Sequence, residues 1–213
     1  MKYLVPMLIL ILFLPVAALG DQIDIYVGDV QYTPGVTDTY WVQVWIETDY
    51  EDTNLTGYKI QADISTAGDG VEWVYNSGDG NVELPVAPHA TYILPTGLKF
   101  LGTDVEGTNN ETLKVQDGTF GADALGDGGV FRAQLEVDAS ATGCFTIDVN
   151  LVSGFTEFRD DVGAPPHQLL TIGNVYSGTI SPIPEPSSSV MLLGLLGTVG
   201  TAFFVRKRVR RAN

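Results

Sequence analysis

The chain has 213 residues, of which 26 are acidic and 11 are basic, so its formal net charge is −15 at pH 7. Residues 21–183 alone contain 25 acidic and 5 basic side chains, which gives this central segment a net charge of −20. So acidic a surface excludes nucleic-acid binding, which requires the opposite sign of charge. The single cysteine, Cys144, excludes an intramolecular disulfide bond.

The first twenty residues have the pattern of a secretory signal peptide. Lys2 provides a positive charge, a long apolar run follows, and Ala18 and Gly20 place small residues before Asp21. We therefore predict a signal peptide over residues 1–20, cleaved close to Asp21, and export through the secretion translocon. A retained N-terminal membrane anchor is the alternative.

Residues 21–181 contain short runs in which apolar and polar side chains alternate, as in strands with one buried face. The clearest runs are 40–47, 58–64, 131–137 and 145–151, and further candidates are 23–30, 71–75, 97–101, 113–115 and 169–180. Asp- and Gly-rich turn signals separate them at 69–70, 78–80, 117–118 and 127–129. About nine short strands predict an all-β domain, an antiparallel two-sheet sandwich with Greek-key or jelly-roll connections. A closed barrel is the alternative.

Several acidic clusters in this domain could bind calcium, which takes six to eight oxygen ligands. They are residues 47–52, Asp123 with Asp127, and 160–161. The candidate ligands that we select are Asp49, Asp52, Asp123 and Asp127. None of the clusters matches an EF-hand or a calcium-binding repeat, so acidic loop residues exposed to solvent are the alternative.

Aromatic residues on predicted strands are candidates for carbohydrate binding. They are Trp41, Trp45, Trp73 and Tyr75. Trp41 and Trp45 share the polar face of the run 40–47, which suits an exposed platform on which sugar rings stack. Packing beneath a loop or against the second sheet is the alternative interpretation.

No sequence motif indicates catalysis. Cys144 is expected to be a small buried residue at the start of a strand, and His89 and His167 follow prolines in segments that resemble loops. A glycosidase needs two positioned carboxylates, and the sequence singles out no pair. We therefore predict a protein that is not an enzyme and has no cofactor, except for structural calcium if the acidic clusters bind it.

The C-terminal segment 182–213 has three parts in a fixed order. Pro184-Glu185-Pro186 forms a rigid extended stretch, an uncharged apolar run occupies 190–205, and a basic cluster ends the chain at Arg206, Lys207, Arg208, Arg210 and Arg211. We predict a transmembrane helix over about residues 188–205, which is short for a hydrocarbon layer of about 30 Å. The basic cluster predicts that the tail stays in the cytoplasm and the domain lies outside.

This arrangement resembles the PEP-CTERM sorting signal of Gram-negative bacteria. The resemblance implies processing by a membrane enzyme called exosortase and an association with exopolysaccharide or biofilm production. It also implies brief anchoring in the inner membrane, followed by transfer to the cell surface or the extracellular matrix. A glycosylphosphatidylinositol signal would not end in basic residues, and a simple single-pass anchor would leave the Pro-Glu-Pro sequence without a role.

Three segments of the domain, 25–28, 55–62 and 127–135, resemble cohesin modules. They match an opening strand, a strand with a glycine–aromatic pair and a late strand that begins with Asp-Gly. The resemblance implies a protein-binding module. Our first hypothesis is therefore an exported, non-enzymatic surface or matrix protein. A module that binds carbohydrate or a surface protein is the second, and a polysaccharide-active enzyme is the third.

Overall fold

The structure is a computed structural model that describes residues 21–51, 53–65, 69–76, 79–94, 102–160 and 168–184, without the side chains of 75, 76, 79, 80 and 119–123. Its strands are β1 (Ile23–Val27), β2 (Val30–Tyr32), β3 (Asp38–Thr48), β4 (Asn54–Ile64), β5 (Val71–Trp73), β6 (Tyr75–Asn76), β7 (Asp79–Gly80), β8 (Val82–Glu83), β9 (Gly102–Glu106), β10 (Thr112–Ala124), β11 (Gly128–Val137), β12 (Phe145–Val149), β13 (Glu157–Asp160), β14 (Ile172–Tyr176) and β15 (Gly178–Pro182).

Two sheets form a sandwich, as the alternating runs predict. The six-stranded sheet has the order β14-β1-β3-β11-β5, with β8 also paired to β11. The seven-stranded sheet has the order β2-β15-β12-β4-β10-β9, with β13 also paired to β4. A small hairpin of β6 and β7 completes the strands of the described residues. Most pairs are antiparallel, but β1 pairs with β14 and β2 with β15 in parallel.

The core lies between the sheets and follows from the alternation of side chains. On β3, Val42, Val44 and Ile46 are buried, whereas the residues between them face outward. On β4, Ile60 and Ile64 turn inward in the same way. Burial of these side chains from both sheets, at about 25 cal/mol per Å² of apolar surface, is the main force that holds the sandwich together.

The predicted strands 23–30 and 169–180 each divide into two strands that belong to different sheets. The first becomes β1 and β2, with the crossing at Gly28 and Asp29, and the second becomes β14 and β15. The crossings lie side by side, and a Cβ atom at Gly178 would collide with the carbonyl oxygen of Gly28. The alternation of apolar and polar residues cannot show this change of sheet. It indicates which side chains are buried, but not the sheet to which each strand belongs.

Some local predictions are wrong. The turn predicted at 117–118 lies inside β10, because the Asp117 side chain is buried and hydrogen-bonded in the core. Cys144 is exposed, since it precedes β12 and Phe145 is the first residue to turn inward. Leu151 is also exposed, because β12 ends at Val149 and a turn follows.

No helix long and apolar enough to cross a bilayer occurs among the described residues. The predicted signal peptide (1–20), the membrane helix (about 188–205), the strand 97–101 and His167 all lie outside them.

Candidate functional site

Four aromatic rings stack in a line across the outer face of the six-stranded sheet. We call Tyr176, Tyr26, Trp45 and His89 the aromatic row. Ring centroids are 4.4 Å apart between Tyr176 and Tyr26, 5.5 Å between Tyr26 and Trp45, and 4.4 Å between Trp45 and His89, and the planes differ by only 7–8°. Strand register brings the first three together, because Tyr26 pairs with Tyr176 on one side and with Trp45 on the other.

Glu47 holds the phenol of Tyr26 in place. The Tyr26 hydroxyl donates a 3.0 Å hydrogen bond to Glu47 Oε2. Removal of water from the phenol, followed by the hydrogen bond and the negative charge of Glu47, raises the pKa of Tyr26 to about 12. The phenol therefore stays neutral throughout the physiological range.

The segment 86–89 lies on this face and is fastened to the middle of β3. The Val86 amide donates to Gln43 Oε1 at 3.2 Å, and Gln43 Nε2 donates to the His89 carbonyl at 3.4 Å. The imidazole of His89 stacks on Trp45, which also stacks on Tyr26. Trp45 therefore contacts two other rings, and the stacking of a sugar on Trp45 stays a prediction.

Trp41, the other predicted sugar-stacking residue, is 37% exposed. The guanidinium of Arg132 lies 4.4 Å from the centre of its ring and forms an ion pair with Glu83. Trp73, by contrast, is only 1% exposed and belongs to the core. Of the aromatic candidates whose side chains are described, Trp41 alone has an exposed indole.

Trp41 borders a groove of about 350 Å³. We call this the Trp41 groove, and its lining residues are Gly28, Asp29, Trp41, Gln43, Trp45, Val86, Ala87, Pro88, His89 and Arg132. The sequence placed Trp41 and Trp45 on one face correctly. It gave no sign of His89, Arg132 or Tyr176, because these side chains come from segments that are distant along the chain.

Two of the predicted calcium ligands come together although the sequence placed them in separate clusters. Asp49 and Asp127 line one cavity of about 190 Å³, together with Asp24 and Glu47. Asp127 Oδ1 accepts a 2.9 Å hydrogen bond from the Thr48 amide.

The described carboxylates of this cluster are not arranged as a metal centre. Among the described side chains, no group of three His, Cys, Asp or Glu is placed to hold a metal ion. Asp52 and the side chain of Asp123 lie outside that set, and calcium binding stays a prediction.

A second surface cluster lies on the outer face of the seven-stranded sheet. We call Lys59, Lys114, Phe155, Glu157 and Arg159 the Phe155 cluster. The ammonium groups of Lys59 and Lys114 lie 5.7 and 5.6 Å from the ring centre of Phe155. Glu157 accepts ion pairs from Lys59 at 3.2 Å and from Arg159 at 2.6 Å. Three of the five basic residues of segment 21–183 thus meet at one place.

A polar network is buried inside the sandwich. Tyr92 donates to Asp117 Oδ2, and Tyr58 donates to the carbonyl oxygen of Val130 at 3.2 Å. The two phenol oxygens are 3.4 Å apart. Burial raises the pKa of Tyr58 and of Tyr92, each well above its usual range. The side chains of Tyr58, Tyr92 and Asp117 are all buried, and we assign the network a structural role.

The folded domain ends directly before the predicted sorting motif. Strand β15 ends at Pro182, the Ile183 amide donates to the Tyr32 carbonyl at 2.8 Å, and Pro184 is exposed. The other predicted residues of the signal lie outside the described part of the chain: Glu185, Pro186, Arg206, Lys207, Arg208, Arg210 and Arg211.

Comparison with protein families confirms the sorting signal. The model of the PEP-CTERM protein-sorting motif matches residues 182–210. The chain therefore carries a PEP-CTERM motif and is exported. No curated protein matches the chain.

Solved structures that resemble the domain are cohesin modules. A type I cohesin from Clostridium thermocellum, in complex with a dockerin, matches with a TM-score of 0.54 at 15% identity, covering 76% of this chain and 99% of that one. A type III cohesin from the cell-surface anchoring scaffoldin of Ruminococcus flavefaciens has a TM-score of 0.51 at 15% identity, with 81% and 93% covered.

A non-cellulosomal cohesin from the archaeon Archaeoglobus fulgidus also matches, with a TM-score of 0.50 at 15% identity, covering 79% of this chain and 96% of that one. At this level of identity the likeness concerns the fold, and the domain is a cohesin-like β-sandwich followed by a PEP-CTERM sorting motif.

Proposed function

We propose that this chain is an exported, non-enzymatic protein whose sandwich binds another protein at the cell surface or in the extracellular matrix. The observation that carries the proposal is the direct connection of a cohesin-like domain to a PEP-CTERM motif, with Pro184 exposed two residues after the last strand. The resembling structures include cohesins bound to dockerins, and one belongs to a cell-surface anchoring scaffoldin. Processing by an exosortase and a location among exopolysaccharide are part of the same proposal.

The Phe155 cluster is the surface that we assign to the partner. Phe155 is half-buried beneath two lysine side chains, with Arg159 paired to the neighbouring Glu157, and aromatic and arginine side chains are enriched in protein interfaces. Long antiparallel strands, β4 and β10, support it from below. Because the remainder of segment 21–183 is strongly acidic, this cluster is where an acidic partner surface would meet the least repulsion.

The experiment is a capture assay with the full-length protein, purified in detergent, as bait and with envelope proteins of the producing bacterium. A captured protein is then purified, and its Kd is measured against the wild type and the double variant Lys59→Glu/Lys114→Glu. We expect at least a tenfold weaker Kd for the double variant, since both charges at the Phe155 ring are reversed. Trp41→Ala, on the opposite sheet, is the matched control and should bind like the wild type.

Two outcomes would contradict parts of this proposal. One is that no envelope protein binds the wild-type bait. The other is that the captured protein binds the double variant as tightly as the wild type. The Phe155 cluster would then not be the binding surface.

A further inference from the structure

The Trp41 groove is a second surface that the proposed function does not use. It lies on the outer face of the six-stranded sheet, whereas the Phe155 cluster lies on the outer face of the seven-stranded sheet. At about 350 Å³ its volume falls within the usual range of small-molecule sites, which is about 300–1,000 Å³.

Contacts within the chain fix the walls of the groove. The side-chain amide of Gln43 holds the segment 86–89 through the Val86 amide and the His89 carbonyl. The stack of His89 on Trp45 holds the same segment from its other end. A ligand would therefore meet a groove that is already formed, and binding would cost little ordering of the protein.

Trp41 provides an aromatic surface in the lining of the groove. The guanidinium of Arg132, which also lines the groove, lies 4.4 Å from the centre of the indole ring. The indole remains 37% exposed. Indole surfaces of this kind make good contacts with the C–H groups of a pyranose ring, which are weakly polarised toward positive.

Asp29 provides a polar group in the lining of the groove. Its side chain is exposed, and Oδ1 accepts a 2.8 Å hydrogen bond from the Thr179 amide, which orients the carboxylate. Within the described part of the chain, Oδ2 has no hydrogen-bond partner. An indole and an oriented carboxylate facing one groove match the apolar C–H face and the hydroxyl groups of a sugar.

Other ligand classes fit the groove less well. A peptide that adds as a strand needs a free sheet edge, but the floor strand β3 is paired on both sides, with β1 and β11. A polyanion such as a uronate polymer would be repelled by a segment of net charge −20 and by Asp29 itself. We propose that the Trp41 groove binds a neutral polysaccharide, with a pyranose ring on Trp41 and its hydroxyl groups donating to Asp29.

Affinity gel electrophoresis of the full-length protein in detergent tests this site. The gels contain a neutral probe polysaccharide, namely mixed-linkage β-glucan, xyloglucan, galactomannan or dextran, or the uronate polymer alginate. We expect retardation by at least one neutral polysaccharide. Trp41→Ala and Asp29→Asn should each raise the dissociation constant at least tenfold. Asp29→Asn preserves the shape of the side chain, so it tests the site without creating a cavity.

Thr39→Ala, an exposed position on the same strand outside the groove, is the matched control and should be retarded like the wild type. Lys59→Glu/Lys114→Glu should also be retarded normally, which separates this site from the protein-binding surface. Retardation by none of the neutral polysaccharides, retardation by alginate alone, or retardation that survives both groove variants would each overturn the proposal.

Discussion

Trp45 and His89 stack with their ring centres 4.4 Å apart and their planes 7° from parallel. This contact joins the middle of β3 to a segment that contributes no strand to the six-stranded sheet at that point. The stack therefore helps to fix the position of segment 86–89, which forms one wall of the Trp41 groove. The close approach of the wall depends on Gly129, where a Cβ atom would collide with the His89 carbonyl oxygen and with Pro85.

Substitution of Gly129 by alanine should displace this wall. The added methyl group has no space, and overpacking of this kind costs about 1–3 kcal/mol in the free energy of unfolding. The stack on Trp45 should open as well, so its fluorescence should shift to longer wavelength in the folded state. Urea unfolding followed by tryptophan fluorescence measures both effects.

Gly126→Ala is the control for that experiment, because a Cβ atom at Gly126 has no neighbour within 4 Å among the described residues. Its effect on the free energy of unfolding should stay within about 0.5 kcal/mol. If the two alanine variants unfold at the same urea concentration, the segment 86–89 does not lie against Gly129.

Removal of the Tyr92 hydroxyl should destabilise the sandwich. Tyr92→Phe takes one donor from the buried carboxylate of Asp117 and one neighbour from the phenol of Tyr58. Loss of a partner from a buried polar group costs about 1–3 kcal/mol. Tyr176→Phe is the control, since that side chain is 46% exposed and keeps its ring stack. Equal unfolding free energies for the two variants would show that the Tyr92 hydroxyl contributes nothing to stability.

The sequence allowed the sandwich and the face of Trp41 and Trp45 to be predicted, because both depend on alternation within single strands. The partners of these side chains could not be predicted. Tyr176 reaches Tyr26 through a parallel pairing of strands that are distant along the chain, and His89 comes from a loop.

Asp117 illustrates the other kind of failure. Asp-Gly is typical of turns, because both residues tolerate turn conformations. In this chain the carboxylate instead accepts a hydrogen bond from Tyr92 in the core, and β10 continues through Gly118. Local propensity is overruled when tertiary contacts satisfy a buried polar group.

Stability should fall as the pH rises above 10. An unfolded tyrosine ionises near pH 10, whereas the pKa of Tyr26 is raised to about 12 and those of Tyr58 and Tyr92 are also raised. The folded state thus holds these protons more firmly than the unfolded state. Their contribution to stability is complete below pH 10 and is lost as the pH rises through the folded pKa values.

Urea unfolding at a series of pH values measures this loss of stability. Comparison with Tyr26→Phe gives the part of the loss that is due to Tyr26. The variant should lose stability less steeply than the wild type between pH 10 and pH 12, because one of the shifted groups is absent. Identical slopes would mean that Glu47 does not hold the Tyr26 phenol in its neutral form.

The sorting motif should control release from the membrane. Replacement of Pro184-Glu185-Pro186 by three alanines should leave the uncut chain in the inner membrane, because the Pro-Glu-Pro sequence before the predicted membrane helix is what we expect the processing enzyme to read. Since β15 is hydrogen-bonded as far as Ile183, the cut must fall after this residue if the fold is to stay intact. Intact-mass measurement of the wild-type surface protein should therefore show a chain that retains Pro182 and lacks the Arg206–Arg211 cluster. A mass that includes Asn213 would contradict processing, and release of the alanine variant at the wild-type rate would show that the motif is not read.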